Sequence, residues 1–246
     1  MKKPLLSIIA LLAIASSNSS ADQDLASKEE LYEGKEYSTA FHNPKDDPNL
    51  PNVLLIGDSI SIGYTVDVRK ALKGKADVFR IRGNAKNSAY GLKQIEQFLA
   101  TKPAKWDLIH FNWGLWDLCY RHPKSKVQGH RDKVNGTLTA TLEEYRNSME
   151  KIVARLKQSD ATLIWCATTP VPEHEAGRKL GDDFQYNAVA AEIMKKNKIT
   201  INDLHAHALL RQTEIQAKEG DVHFNKKGSA YLAQKVAREI LRALPK

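Results

Sequence analysis

The chain has 246 residues, of which 42% are hydrophobic, and a formal net charge of +8 at pH 7. This length corresponds to one large domain or two small ones, enough to bury a core without disulfides or metals. The basic residues are scattered among acids, as in Lys28-Glu29-Glu30, and no basic stripe is interleaved with aromatics, so the composition argues against nucleic-acid binding.

The first residues follow the order of a secretory signal peptide. Lys2 and Lys3 precede an apolar run at residues 5–15, and small polar residues continue to Ala21. This order predicts cleavage after Ala21 (signal peptide 1–21) and a secreted or periplasmic protein. The apolar run is too short to span a bilayer, so no stable membrane insertion is expected after cleavage. A retained membrane anchor is the alternative.

The remaining chain shows a polar arm followed by a domain of alternating elements. Residues 22–50 are polar and contain prolines, which predicts an extended arm before a domain at 51–246. Short apolar runs predict buried strands at 52–56, 77–81, 107–112, 162–167 and 199–202. Amphipathic segments predict helices at 88–100, 142–158, 184–197 and 226–244. This alternation predicts an α/β protein with a parallel sheet between two helical layers, and the aperiodic stretch 120–139 predicts a long loop over one edge.

The two cysteines and one histidine have core-like positions. Cys119 and Cys166 lie at the ends of apolar runs, which favours two small core residues, although an exported protein also permits a disulfide. His110 lies within the third predicted strand and is expected to be a core residue. No cysteine or histidine cluster has the spacing of metal ligands, so neither a metal nor another cofactor is predicted.

The first predicted strand leads directly into Gly57-Asp58-Ser59. Ligands of open parallel sheets bind beyond the carboxyl ends of the strands. Gly57 permits a sharp turn, and Ser59 falls where a helix begins, so backbone N–H groups and positive potential are available to an oxyanion. The pattern predicts an acyl-transfer nucleophile, with a helix N-cap role for Asp58 or Ser59 as the structural alternative.

Two sequence blocks at opposite ends of the domain resemble those of the SGNH (GDSL-like) hydrolases. Gly-Asp-Ser-Ile at 57–60 is similar to the first block of the family, and Asp-Val-His-Phe at 221–224 precedes the last predicted helix, where the family carries its base histidine. The resemblance covers residues 52–243. It implies a three-layer α/β/α sandwich with a mostly parallel, flavodoxin-like five-stranded sheet. It also implies a cofactor-free serine esterase with Ser59 as nucleophile and His223 as general base.

The resemblance further implies an oxyanion hole that contains the backbone N–H groups of Ser59 and Gly83. The third block of the family, Gly-x-Asn-Asp, reads Gly-Leu-Trp-Asp at 114–117, so Trp116 stands in place of the asparagine. Asn112, at the end of the third predicted strand, is the substitute donor that we favour. The indole N–H of Trp116 is the alternative.

The acid of the implied triad is also displaced. The family usually places it three residues before the histidine, where this chain has Gly220. Asp221, two residues before His223, is the acid that we predict, because a turn can bring its carboxylate to the ring nitrogen. Glu219, Asp203 or a dyad without an acid are the alternatives.

Four residues near these blocks are predicted to bind the substrate: Asp58, Trp113, Trp116 and Thr169. Thr169 follows the fourth predicted strand and so belongs at the same sheet edge as Ser59. The two tryptophans follow the third strand, where they would stack on sugar rings or acyl groups unless they are core residues.

The family and the predicted export together indicate a small-molecule or glycan ester as the substrate. We predict removal of acetyl or other short acyl groups from a carbohydrate through an acyl-serine. A lipase or lysophospholipase of the same fold is one alternative. The altered third block motivates another, a catalytically dead carbohydrate-binding protein. The sequence does not fix the oligomeric state.

Overall fold

The computed structural model describes residues 25–244. The predicted signal peptide at 1–21 lies outside the described residues and stays a prediction. Within residues 25–244, no helix combines the length and the hydrophobicity needed to cross a bilayer.

Five parallel strands form the central sheet, and a short hairpin stands apart from it. The strands are β1 (Asn52–Ile56), β2 (Asp77–Arg80), β3 (Leu108–Phe111), β4 (Tyr120–Arg121), β5 (Thr137–Leu138), β6 (Thr162–Cys166) and β7 (Thr200–Asn202). The central sheet has the order β2-β1-β3-β6-β7, and β4 pairs with β5 antiparallel. Every residue of β3 is buried, as expected when helices cover both faces of a parallel sheet.

Two groups of helices pack against the sheet. The helices are α1 (Ser59–Ala71), α2 (Ser88–Leu99), α3 (Leu142–Leu156), α4 (Asp182–Lys196), α5 (Leu204–Leu209), α6 (Gln212–Ile215) and α7 (Lys226–Ala243). Helices α1 and α7 pack together, while α2, α3 and α4 pack in series. The predicted α/β/α sandwich with a five-stranded parallel sheet is therefore confirmed.

Polar side chains fix the starts of the helices. Asp58 Oδ1 accepts from a backbone N–H of the first turn of α1, and Asn87 does the same for α2. Thr141 and Glu144 form a reciprocal capping box on α3. Asn225 caps α7. Each cap satisfies a backbone donor that the helix itself leaves unpaired.

The predicted and observed elements differ where the sequence signal is short. The strands at 77–81, 107–112, 162–167 and 199–202 end one or two residues inside the predicted ranges. Helices α5 and α6 were not predicted, because four to six residues are too few to show a helical period. The stretch 120–139 is mostly irregular, as predicted, but contains the β4–β5 hairpin.

The segment before β1 is not the extended arm that its composition predicts. Its chain turns over residues 28–32, and Lys35–Phe41 forms a 3-10 helix that packs against α1. Tyr32 and Ala40 are buried in a small apolar cluster with Ile62 of α1. Few long apolar residues are needed for this packing, which is why composition alone did not reveal it.

The strand order creates a topological switch point at the carboxyl ends of β1 and β3. From β1 the sheet extends to β2 on one side and to β3 on the other. Clefts of open α/β sheets form at such points. Ser59 follows β1 and Asn112 follows β3, so two of the predicted site residues lie at this position.

Candidate active site

Ser59 is the first residue of α1 and lies in contact with His223. Its Oγ is 2.9 Å from Nε2 of His223, close enough for direct proton transfer. As the first residue of a helix, Ser59 has a backbone N–H without a partner inside the helix. At this position a hydroxyl group, an imidazole that can accept its proton and a backbone N–H that can stabilise negative charge lie close together.

A single carboxylate oxygen of Asp221 holds His223 in place. Oδ1 is 2.7 Å from Nδ1 of the ring and also accepts from the backbone N–H of His223 at 3.0 Å. Burial opposes ionisation of Asp221, but the hydrogen bonds and the charge of His223 outweigh it and hold the pKa of Asp221 well below its usual range. An ionised acceptor on Nδ1 leaves Nε2 unprotonated toward Ser59, the tautomer that a general base needs.

The two substitute acids lie elsewhere. The Glu219 side chain is 86% exposed and is 3.8 Å from Nε2 of His174. Asp203 caps α5 by accepting from the backbone N–H of Ala206. Of the three acids considered from the sequence, Asp221 is the one that the structure places on the ring of His223.

Asn112 uses its amide to tie two strand ends together. Its Nδ2 donates to the carbonyl of Cys166 at 2.7 Å and to Oγ1 of Thr168 at 3.2 Å. An NH₂ group has two hydrogens, so this arrangement leaves none for an oxyanion. The predicted oxyanion role of Asn112 therefore stays a prediction, and the observed geometry gives this residue a structural role between β3 and β6.

The loop after β2 brings Gly83 beside the nucleophile loop. The N–H of Ala85 donates to the carbonyl of Gly57 at 3.1 Å. Gly83 has φ +79, in the left-handed region that a side chain disfavours, and open space faces its Cα. Its backbone can consequently approach a substrate closely.

Asn84, which the sequence analysis passed over, follows Gly83 directly. Its side chain is buried and Oδ1 accepts from the backbone N–H of Lys86 at 2.8 Å. In the part of the chain that the structure describes, Nδ2 has no hydrogen-bond partner. Leaving a buried donor unpaired is costly, so this amide is a second candidate for the oxyanion donor. Its place beside the glycine was the available sequence signal.

Arg80 is a second residue beside the site that the sequence analysis missed. Buried at the end of β2, it donates from Nη2 to the carbonyl of Gly57 at 2.8 Å and to Oγ of Ser61 at 2.7 Å. Its Nη1 donates to the carbonyl of Gly83 at 2.7 Å. Burial lowers the pKa of Arg80 to about 9, which still leaves it charged at neutral pH. Arg80 thus links the nucleophile loop to the Gly83 loop, and an arginine in an apolar strand was the signal for it.

The predicted substrate contacts of the two tryptophans are not supported. Trp113 is 0% exposed and donates its indole N–H to the carbonyl of Ala85 at 3.1 Å. Trp116 is 1% exposed, and the guanidinium of Arg121 lies 4.7 Å from its ring centroid. Neither ring has a free face for a sugar, so both are core residues.

Asp58 and Thr169 line a small cavity next to the nucleophile loop. The cavity has a volume of about 10 Å³ and is also lined by Ile60 and Asn112. Asp58 caps α1, and burial raises the pKa of its carboxyl. Oγ1 of Thr169 is buried and, among the described residues, without a partner. The predicted substrate contacts of these two residues stay predictions, but both residues have the required location.

The remaining candidate groups are structural. His110 contacts Asn202 through Nε2 at 3.1 Å, and burial lowers its pKa to about 4, as expected for a neutral core histidine. Cys119 and Cys166 are both free and buried, so the possible disulfide is not formed. Over residues 25–244, no group of three or more histidine, cysteine, aspartate or glutamate side chains is arranged to hold a metal ion.

Comparisons with known proteins agree with the fold. The acetyl xylan esterase AlAXEase superposes with a TM-score of 0.61 at 17% identity, covering 77% of this chain and 99% of that chain. The lipase/acylhydrolase from Enterococcus faecalis gives 0.62 at 18% identity, with coverage of 79% and 97%. An acetylxylan esterase from Geobacillus stearothermophilus gives 0.60 at 19% identity, with coverage of 77% and 94%. These identities show a shared fold. No curated protein matches the chain.

The sequence itself carries the family assignment. The profile of the GDSL-like Lipase/Acylhydrolase family matches residues 55–231, which is most of the chain and includes the blocks of Ser59 and His223. The chain therefore belongs to the GDSL-like lipase/acylhydrolase family, and it is a carboxylic ester hydrolase.

Proposed function

We propose that this protein is a serine acetylesterase that removes acetyl or other short acyl groups from a carbohydrate. The observation that carries the proposal is the relay from Ser59 Oγ through His223 to Asp221, with contacts of 2.9 and 2.7 Å. A serine in direct contact with an oriented imidazole is the arrangement that activates a weak hydroxyl nucleophile.

The first half of the reaction forms an acyl-serine. Ser59 Oγ attacks the ester carbonyl carbon while its proton passes to Nε2 of His223, and Asp221 stabilises the resulting imidazolium. The carbonyl oxygen becomes negative in the tetrahedral intermediate. The backbone N–H groups of Ser59 and Gly83 are the donors proposed for it. Collapse of the intermediate breaks the C–O bond to the sugar, and the imidazolium gives its proton to the departing sugar oxygen, which leaves as a hydroxyl group.

The second half regenerates the enzyme. A water molecule gives its proton to His223 and its oxygen attacks the acyl carbon. The second intermediate collapses to a carboxylic acid, and Ser59 recovers its proton from the imidazolium. In this scheme the reacting groups are Ser59, His223 and water, and Asp221 and the backbone N–H groups of Ser59 and Gly83 stabilise the charges that develop.

The side-chain donor of the oxyanion hole has two candidates. Asn112 is the residue proposed from the sequence, but its amide hydrogens are engaged with Cys166 and Thr168. Asn84 offers an unengaged buried amide on the Gly83 loop. Loss of one oxyanion donor typically lowers kcat by about 10²–10³, so alanine variants of the two residues will separate the assignments.

A small cavity lies beside the nucleophile loop. It is lined by Asp58, Ile60 and Thr169 and has a volume of about 10 Å³, close to the minimum that holds one water molecule. Ser59 is not among its lining residues, so the cavity does not define the space for the acyl group. The proposed preference for acetyl over longer acyl groups comes from the family and the predicted export, and the substrate series below tests it.

The carbohydrate part of the proposal is supported by similarity and by the predicted export. Two of the three structural neighbours described above are acetylxylan esterases according to their names. The signal-peptide pattern at 1–21 supports a secreted or periplasmic location, where polysaccharides are available. The third neighbour, a lipase/acylhydrolase, is the reason to include lipid-like esters in the test.

The first experiment compares p-nitrophenyl acetate, butyrate and octanoate as substrates. We expect hydrolysis that falls with acyl length and is lost in Ser59→Ala, while Ser229→Ala, on α7, serves as a matched serine control with retained activity. A preference for octanoate would replace the proposal with a lipase-type function. Full activity of Ser59→Ala would refute the acyl-serine scheme.

The second experiment tests the glycan. Release of acetate from acetylated xylan and from other acetylated polysaccharides is measured for the wild type and for Ser59→Ala. Serine-dependent release supports the carbohydrate substrate. Activity restricted to acetylated small molecules would contradict it.

A further inference from the structure

The ring of Tyr32 stacks on the imidazole of His223. The two ring centroids are 4.8 Å apart and the planes differ by 29°. Tyr32 belongs to the segment before β1, which precedes the residues 55–231 matched by the family profile. The proposed general base is therefore covered by a part of the chain outside the residues that the family profile matches.

Tyr32 is held rigidly against the domain. It stacks on Tyr37 with centroids 3.9 Å apart and packs with Ile62 of α1, the helix that starts with the nucleophile. Its φ of 56° lies in the left-handed region, where a bulky residue persists only when its surroundings fix it. Burial raises the pKa of Tyr32, so the ring faces His223 as a neutral phenol.

A buried ion pair anchors the same segment two residues earlier. Both carboxylate oxygens of Glu30 accept from the guanidinium of Arg121, at 2.7 and 2.9 Å, and both side chains are 3% exposed. Gly129 allows this approach, because a Cβ at that position would lie 1.7 Å from Oε2 of Glu30. Arg121 in turn stacks over Trp116 of the third sequence block.

The C-terminal end of this segment is hydrogen-bonded to Arg80, which also contacts the nucleophile loop. Oδ1 of Asn43 accepts from the backbone N–H of Arg80 at 2.8 Å, and its Nδ2 donates to the carbonyl of Arg80 at 2.9 Å. The ring of Phe41 lies 5.4 Å from the Arg80 guanidinium carbon. Residues 30–43 are thus fixed at both ends, with Tyr32 over the general base.

We propose that Tyr32 is a positioning residue for the general base: its ring fixes the plane of the His223 imidazole and stabilises the imidazolium formed when Ser59 loses its proton. This inference rests on the proposed function, in which that imidazolium forms twice per cycle. A cation within about 6 Å of an aromatic centroid is attracted to the electron-rich face, most strongly when water is excluded. The stacked geometry and the burial of both rings meet these conditions.

Other charged groups also interact with His223, and they must stay unchanged in the test. Asp221 contacts Nδ1 of His223. Asp58, at the start of α1, also interacts electrostatically with His223. Arg131, from the loop between β4 and β5, acts on the carboxylate of Asp221. Tyr32 is the group that the segment before β1 places on the ring face. The variants below leave Asp221, Asp58 and Arg131 unchanged.

The test compares Tyr32→Phe, Tyr32→Leu and Tyr37→Leu in the full chain. Two readouts are the pH profile of kcat/KM on p-nitrophenyl acetate and an NMR titration of the His223 ring, assigned with His223→Gln. We expect Tyr32→Phe to match the wild type, because the π face remains. We expect Tyr32→Leu to lower kcat about tenfold with KM little changed, and to lower the pKa of His223 by about half to one unit. The acidic limb of the kcat/KM pH profile of Tyr32→Leu should therefore move to lower pH.

The Tyr37→Leu variant controls for general loosening of the segment, since Tyr37 touches Tyr32 but belongs to the next turn. The inference is overturned if Tyr32→Leu leaves the pKa of His223 unchanged, or if Tyr37→Leu causes an equal shift. If Tyr32→Leu does not fold, pentafluorophenylalanine at position 32 keeps the shape but removes the electron-rich face. A lowered pKa of His223 then supports the inference, and an unchanged pKa overturns it.

The two readouts separate this inference from the proposed function. A wild-type protein without esterase activity would remove the proposed function, while the NMR titration would still decide whether Tyr32 acts on His223. An active wild type with an unaffected Tyr32→Leu variant would remove only the role of Tyr32.

Discussion

Replacing Asp221 by asparagine should disable the general base without disturbing the fold. The side chain is 9% exposed, and its Oδ1 receives two hydrogen bonds from His223, one from the ring and one from the backbone. Asparagine has the same size and can keep one acceptor oxygen, so we expect the loop to persist. What disappears is the negative charge opposite the imidazolium.

The expected loss follows from these contacts. A hydrogen bond to a charged group contributes about 1.5–3 kcal/mol, and this alone lowers kcat/KM by roughly 10–150-fold. An amide can also donate to Nδ1 and select the wrong tautomer, for which losses of about 10⁴ are known in other serine hydrolases. We therefore expect Asp221→Asn to lower kcat/KM by about 10²–10⁴ on p-nitrophenyl acetate.

Glu219→Gln and Asp203→Asn are the matched controls, because each removes a neighbouring acid that does not touch the ring. Both should retain activity close to that of the wild type. The reasoning would be refuted if Asp221→Asn stayed within about threefold of the wild type, or if either control lost activity comparably while remaining folded.

Four further outcomes are expected. Asn112→Ala removes two hydrogen bonds between β3 and β6 and should lower the free energy of unfolding by about 1–3 kcal/mol in urea titrations. Asn84→Ala should cost little stability but lower kcat by about 10²–10³ if its amide serves the oxyanion; an unchanged kcat would exclude that role. Glu175 forms ion pairs with two buried arginines, Arg131 and Arg178, so Glu175→Ala should lower the free energy of unfolding by about 3–5 kcal/mol. Glu192 is exposed and pairs at the surface, so Glu192→Ala should change the free energy of unfolding little. The pKa of Asp221 is lower in the folded state than in the unfolded state, so its ionised form stabilises the fold at neutral pH. This stabilisation is lost as the pH falls below about 4. The difference in the free energy of unfolding between the wild type and Asp221→Asn should therefore shrink between about pH 5 and pH 2.

Local patterns in the sequence were sufficient to predict the fold and to locate Ser59 and His223, the proposed nucleophile and base. Runs such as Asn52–Ile56 are short, mostly apolar and bounded by proline and glycine, and they alternate with amphipathic segments, so the parallel sandwich follows from periodicity. The blocks around Ser59 and His223 are contiguous in the sequence, so each could be found without knowledge of the other. The structure brings the two within hydrogen-bond distance.

Short-range patterns were insufficient where a role depends on which side chains meet. Trp113 and Trp116 have the composition of a sugar-stacking cluster, but whether a ring faces solvent or the core depends on how the loop after β3 turns. Asn112 was placed correctly at a strand end, yet its amide hydrogens are taken by Cys166 at the end of β6 and by Thr168 just after it. Neither the burial of the tryptophans nor the hydrogen bonds of Asn112 can be predicted from the residues next to them in the sequence.

The sequence by itself thus determined the class of fold and the family, and it identified Ser59 and His223 as the candidate nucleophile and base, because those features are encoded in contiguous segments. Only the tertiary structure decided which groups support the relay. Tyr32 reaches His223 from the opposite end of the chain, and Arg80 braces the nucleophile loop through backbone carbonyls. Contacts of this kind arise when distant segments pack around one sheet edge, and backbone carbonyls carry no residue-specific signal that a sequence could show.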